Sequence, residues 1–258
     1  MPPLSAVIIT HNEAHNITRC LDSLQGIADE IIIIDSFSTD TTTTICQQYG
    51  AKVIQRKWEG YTAAKNYGNH IARHDYILSL DADETLSDEL KQSILSAKQN
   101  FSKDAYCFNR CTNYCGTWIR HSAWYPDTKL RLWNKQKGTW QGNIHESVQM
   151  QPHTTLQKLK GDLLHYSYNN IAQHAQKINN FTTLMAADDF QKGKKSSIIH
   201  ILIKPLFKFF TDYIIKRGFL DGLAGFQICI LSSYSSFLRQ SKLLEMIIGE
   251  KREQKIIT

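Results

Sequence analysis

Tyr76-Ile77-Leu78-Ser79-Leu80-Asp81-Ala82-Asp83-Glu84 is the segment from which the rest of the chain can be organised. A short, mainly apolar run bounded by polar residues reads as a buried strand. Three carboxylates then fall at its C-terminal end, the edge of an open α/β sheet where ligands bind. Two carboxylates one residue apart repel each other, and a divalent oxygen-seeking ion, Mg²⁺ or Mn²⁺, is their natural counter-charge. Such ions are commonly shared with substrate phosphates. The competing structural reading is an acidic turn before a helix, with Thr85 and Asp88 as a capping box.

Outward from that strand, the same unit repeats toward the N-terminus. Ala6–Thr10 reads as a strand and Asn16–Leu24 as a helix with Ile17, Cys20, Leu21 and Leu24 on one face. Glu30–Asp35 contains four consecutive isoleucines, a run that suits a strand buried on both faces. A helix over Thr41–Tyr49, a strand over Ala51–Gln55 and a helix over Tyr61–Arg73 complete the series. Strand and helix thus alternate four times in about 90 residues, which predicts a mainly parallel sheet with right-handed crossovers. The strand-end rule brings Thr10, Asn12, Glu13, Asp35, Asp40, Asp81 and Asp83 to one edge. Asp35 suits a ribose hydroxyl or a base N–H, whereas Asp40 equally suits a helix cap. Within Gly60–Gly68, small residues allow close backbone approach to a ligand and Lys65 offers charge to a phosphate; packing of the helix on the sheet explains the same small residues.

Beyond a helix at Ser87–Gln99 the texture changes to short strands, aromatics and turns. Lys129–Trp133 alternates as a strand and Asn134–Gly138 reads as a hairpin loop. Glu146, after a glycine-containing loop, is a candidate general base, with Asp127 the alternative; pairing of Glu146 with Arg131 or His145 is the structural reading. His165 suits a metal or diphosphate, or a satisfied core position. Arg131 suits a diphosphate or an acceptor phosphate, or simply solvent. Trp124, Tyr125 and Trp140 suit stacking on sugar rings or core packing.

Ala6–Glu13, Glu30–Asp40, Gly60–Gly68 and Leu80–Glu84, in this order and spacing, resemble the inverting family 2 glycosyltransferases of the GT-A fold. Trp140–Glu146, Leu164–Tyr168 and Phe219–Gly222 resemble the branch that transfers a hexose, usually glucose from UDP-glucose, to a heptose of the lipopolysaccharide inner core. The resemblance implies a nucleoside pocket lined by Thr10, Asn12 and Glu13, with Asp35 near uracil and ribose. It implies a nucleotide-covering segment at Lys65 and Asn66, and an Asp-x-Asp of Asp81, Ala82 and Asp83 in which Asp83 is the more direct ligand of Mg²⁺ or Mn²⁺. A UDP-sugar donor and a lipid-linked core acceptor at the cytoplasmic face of the inner membrane follow from the same resemblance.

The C-terminal part adds its own signal. Asn170–Gln191 is helical, and Lys192–Arg217 holds seven Lys/Arg against one acid, Asp212, interleaved with Ile199, Ile203, Leu206, Phe207, Phe210 and Ile214. A basic amphipathic segment suits a membrane surface. Basic residues alternating with large aliphatics argue against a polar stripe for nucleic acid. Pro205 is expected to kink or restart that helix, and Leu220–Leu244 to form another. The expected division is a catalytic α/β domain over 1–191 and a basic helical appendage over 192–258. Net charge is +6 and 42% of the 258 residues are hydrophobic, enough for one sizeable core. Met1-Pro2-Pro3-Leu4 lacks a basic n-region, so no signal peptide is expected, and no uninterrupted apolar run reaches membrane-spanning length. Six cysteines fit no Cys-x-x-Cys pattern; free thiols are expected, with Cys107, Cys111, Cys115 and His121 the alternative metal cluster. Leu80–Thr85 also fits the Asp-x-Asp-x-Thr of haloacid dehalogenase-like phosphatases, with Asp188-Asp189 as a late acidic pair. That loop normally follows the first strand, whereas three βα units precede it here. A non-catalytic sugar-nucleotide-binding module is the remaining alternative, opposed by the complete carboxylate set.

Overall fold

A computed structural model describes residues 1–142 and 146–257, with the side chains of 251 and 253–257 outside the description. The alternating segments form β1 (Leu4–Thr10), α1 (Ile17–Leu24), β2 (Glu30–Asp35), α2 (Thr42–Gln48), β3 (Lys52–Gln55), α3 (Tyr61–Ile71) and β4 (Tyr76–Asp81). Strands β5 (Glu84–Leu86), β6 (Ala105–Tyr114), β7 (Thr117–Ile119), β8 (Asp127–Asn134), β9 (Gly138–Gln141), β10 (Ser147–Met150) and β11 (Leu156–Tyr168) follow, with α4 (Asp88–Lys98) between β5 and β6. Helices α5 (Ile171–Gln191), α6 (Ile198–Phe210) and α7 (Gly222–Ile257) close the chain.

The larger sheet runs β3-β2-β1-β4-β8-β6-β11-β5, with β7 paired to β6. Its first four strands are mutually parallel, and β8 joins β4 antiparallel. This is the mixed, mainly parallel α/β sheet with flanking helices that the alternation implies. Ile32, Ile33 and Ile34 are buried because the strand has packed layers on both faces. Each such side chain contributes about 1.5–3 kcal/mol of apolar burial. Gly68 of α3 makes the helix layer possible, since a Cβ there would overlap Val7 of β1.

Two expectations differ from the structure in this region. The cap of α4 is Ser87, whose hydroxyl accepts from the Leu90 N–H at 3.3 Å, so Thr85 and Asp88 form no box; Thr85 lies in β5 instead. The 134–138 turn is present, but β9 pairs with β10 in a separate two-stranded sheet rather than folding back on β8.

The chain divides into two compact units, one of residues 1–111 with 127–166, the other of 112–126 with 167–258. The boundary therefore does not fall at 191/192, because α5 packs against α7 in the second unit. Pro205 stays inside α6 without ending it, and a five-residue π-helical turn, Thr211–Ile215, follows. The apolar centre of the second unit is Tyr114, Ile119 and Ile228. Asp221 fastens its 120–121 loop, accepting from the N–H groups of Arg120 and His121 at 3.2 and 2.9 Å and lying 2.8 Å from His121 Nδ1. No helix among the described residues is long and apolar enough to cross a membrane.

Candidate active site

Strand register brings the expected carboxylates to one edge. Thr10 is level with Asp35, Asp35 with Gln55, and Ile9 with Asp81, so β1, β2, β3 and β4 end together in the first unit. Asp35 is buried and its carboxylate accepts from Ser38 N–H at 2.9 Å and Gln55 Nε2 at 3.2 Å, which shapes the loop after β2. Asn12, at φ +54°, accepts from Thr39 N–H at 2.8 Å through Oδ1. Its own N–H donates to Ser38 Oγ at 2.9 Å, so the loops after β1 and β2 are laced together. Glu13 accepts from Asn16 Nδ2 at 2.8 Å, and Asp40 from Ala14 N–H and Thr42 N–H, which braces the loop ahead of α2; the N-cap itself is Thr41, not Asp40 as the capping alternative had it. Among the described residues, the buried Thr10 hydroxyl has no hydrogen-bond partner.

Three carboxylates, Asp81, Glu84 and Glu146, interlock with two cations at the Asp-x-Asp. Lys65, with a fully buried side chain, lies 3.0 Å from Asp81 Oδ1 and 3.2 Å from Glu146 Oε1. Arg131 contacts Asp81 Oδ2 at 3.0 Å and Glu84 Oε1 at 2.9 Å. Burial opposes ionisation of Asp81, but Lys65 and Arg131 outweigh it and hold the carboxyl well below the usual carboxylate range. Burial likewise disfavours charged Arg131, yet Glu84 and Asp81 keep it firmly protonated. Arg131 is buried, so the solvent-facing alternative does not apply.

The geometry gives the members of the motif separate partners. Asp81, expected among the metal ligands, has its oxygens against Lys65 and Arg131. Asp83 instead lies 3.2 Å from His165 Nε2, both side chains partly exposed. A carboxylate oxygen and an imidazole nitrogen side by side suit a divalent ion that completes its shell with water and diphosphate oxygens. Among the described residues, no group of three or more His, Cys, Asp or Glu side chains is assembled for a metal. Cys107 and Cys111 are buried in β6 and Cys115 is exposed beyond it; none of the three is in a disulfide. Ala82 is buried between the two aspartates.

A cavity of about 360 Å³ opens beside this network, walled by Asp81, Arg131, Trp140 and Glu146 and by Arg110 and Lys129. Trp140 reaches it from β9 and packs on Trp133. Asn66 uses its whole amide to hold β9 to α3, donating to Trp140 C=O at 2.9 Å and accepting from Trp140 N–H at 3.0 Å. These bonds make it a fastener between the two elements. Among the described residues, the Glu146 carboxylate has Lys65 as its side-chain partner, at Oε1 only. Asp127 has both carboxylate oxygens paired, with Arg110 at 2.8 Å and Lys129 at 2.9 Å. The expected pairing of Glu146 with His145 falls on a residue outside those described. Trp124 belongs to the second unit, packed against Tyr114, Tyr168 and His174. Glu84 and Arg110 are parts of the network that pattern reasoning did not assign. Glu84 stood in view as a third carboxylate, but nothing in the spacing of Arg110 marks it.

Residues 5–154 match the family described as Glycosyl transferase family 2. A Rickettsia bellii (strain RML369-C) protein described as an uncharacterized glycosyltransferase is 35% identical over 255 residues, 94% of this chain and 86% of that protein. The chain therefore belongs to glycosyl transferase family 2. The lipopolysaccharide core biosynthesis glycosyltransferase LpsC of Rhizobium meliloti (strain 1021) is 26% identical over 253 residues, 94% of this chain and 92% of LpsC. Among solved structures, S. aureus TarS 1–349 aligns at 12% identity and a TM-score of 0.47, over 93% of this chain and 90% of that one. The phosphatase reading fails with the family assignment; its late acidic pair, Asp188 and Asp189, lies on α5 and is paired with lysines.

Proposed function

We infer that the chain transfers a hexose, in first place glucose, from a UDP-sugar to a lipid-linked lipopolysaccharide core saccharide with inversion to a β linkage. The observation that carries this is the bridge Asp81–Lys65–Glu146, which sets a proton acceptor next to the strand-end carboxylates on the wall of one cavity. The likeness to LpsC over nearly both chains supports a core-saccharide acceptor.

In this reading the orphaned Thr10 hydroxyl and the laced loops at Asn12, Glu13 and Asp35 receive the nucleoside. Asp83 and His165 would hold Mg²⁺ or Mn²⁺, which when bound neutralises charge on the departing diphosphate. Glu146 takes the proton from the acceptor hydroxyl as its oxygen bonds to the anomeric carbon and the bond from that carbon to UDP breaks. Lys65 fixes one carboxylate oxygen of Glu146 and leaves the other for that proton. The exposed apolar and basic face of α6 would keep the protein on the cytoplasmic surface of the inner membrane.

The test is UDP release from a panel of UDP-sugars with extracted core acceptor. Glu146→Gln is expected to lower kcat by about 10²–10⁴-fold, with UDP-sugar affinity nearly unchanged. An unchanged kcat would move the base elsewhere.

A further inference from the structure

The second unit contains a cavity of about 430 Å³ formed by α5, α6, α7 and the α5–α6 connection. Five cations line it: Lys194, Lys195, Lys204, Lys208 and Arg239. Ser232, Ser235 and Ser236 add hydroxyls from the same face of α7 as Arg239 and Gln240, at helical spacing.

Two buried carboxylates balance only part of that charge. Asp189 takes Lys194 and Arg239, each at 2.6 Å, and Asp212 takes Lys208 at 2.8 Å. Lys204 is held by a neutral partner, the buried Gln240, whose Oε1 accepts from its Nζ at 3.1 Å. Lys195 has no ion-pair partner among the described residues. The cavity is thus a fixed concave surface with uncompensated positive charge and hydroxyl donors, the chemistry that receives a phosphate.

The helix that supplies Lys204 and Lys208 also exposes Leu202, Ile203, Leu206 and Phe207. A free phosphate has no use for that neighbour, whereas a lipid presents phosphate and acyl chains together. We propose that this cavity is a binding site for the phosphate headgroup of an anionic phospholipid. The proposal rests on the membrane-surface reading above and adds a discrete headgroup site to it.

The test is flotation of the full chain with vesicles of phosphatidylcholine, alone or with phosphatidylglycerol. Lys195→Gln/Lys204→Gln should weaken binding to the anionic vesicles by about fivefold per lysine while leaving binding to neutral vesicles unchanged. Ser236→Glu, which puts a carboxylate in the cavity, should produce a comparable loss. Lys158→Gln/Lys160→Gln, removing equal charge from exposed positions of β11, should change binding by less than about twofold if the site is localised. Equal losses from both lysine pairs would overturn the proposal in favour of diffuse attraction. Equal wild-type binding to both vesicle types would overturn it while the membrane reading stands. Wild type that binds neither type overturns both. If inorganic phosphate alone raises the wild-type melting temperature but not that of the cavity variant, and vesicle binding is identical in the two, the ligand is a soluble phosphate and the lipid source is wrong.

Discussion

Asp81 and Asp83 are separated by one alanine, yet their surroundings give them different chemistry. Asp81 is enclosed by Lys65 and Arg131, whereas Asp83 sits with His165 near solvent. Asp83→Ala should therefore abolish the Mn²⁺-dependent part of UDP affinity in calorimetry, with little change in melting temperature. Retained Mn²⁺ dependence would remove Asp83 from the metal site. His174 offers a test through pH. It is buried against Tyr114, Trp124 and Tyr168, and burial, aided by Lys177, lowers its pKa from 6.5 to about 4. The unfolded chain takes up a proton near 6.5 but the folded chain does not until about 4. This contribution to stability, at most about 3 kcal/mol, is complete above 6.5 and is lost as pH falls toward 4. Urea midpoints across that window should fall for the wild type and flatten for His174→Gln. The roles at this scale were only partly visible in the chain. Residue types at strand ends indicated which side chains meet, but the partner each one takes depends on packing from β8 and α3 that no local spacing encodes.

At the scale of elements, β1 to β4 were legible because short apolar runs alternating with helical periodicity leave few alternatives. The antiparallel half was not. Lys129–Trp133 showed a strand, but period-two alternation says nothing about which strand lies next to it, so β9 went to β10 rather than β8. Glu84 was read as a third strand-end carboxylate, with an acidic turn the alternative; in the structure it opens β5, which pairs with β11, and its buried carboxylate closes the network. Gly222 and Gly225 stand at the start of α7, where glycine by itself reads only as a weak helix former. The structure gives Gly225 a stricter duty, since a Cβ there would overlap the Gly218 carbonyl oxygen and meet Asp221 Cβ at 2.9 Å. Gly225→Ala should destabilise the second unit by about 1–3 kcal/mol in chemical denaturation. A wild-type midpoint would show that the 218–221 turn yields freely.

For the whole molecule, the basic and apolar character of the later helices was plain from composition, while the division of the chain was not. Residues 112–126 join the second unit from far upstream, and α5 joins it through contact with α7, neither of which leaves a break in composition at the boundary. Ile198, Ile199, Leu206 and Phe207 of α6 remain about two-thirds exposed, which is unusual for side chains of that size in water. Leu202→Ser/Leu206→Ser should reduce vesicle binding by about tenfold or more, without lowering the melting temperature. Undiminished binding would assign the contact to another face.

The β9–β10 ribbon carries Trp140 and leads from Glu146, yet it is not woven into the nine-stranded sheet. It is attached by side chains instead, through Asn66 of α3 and through Trp140, Val148 and Met150 packed on Trp133 of β8. A wall hung in this way can be exchanged for another while the four parallel strands and their loops stay as they are. Substitution along the ribbon is thus expected to remodel the cavity wall at Trp140 while the strand-end loops keep their shape.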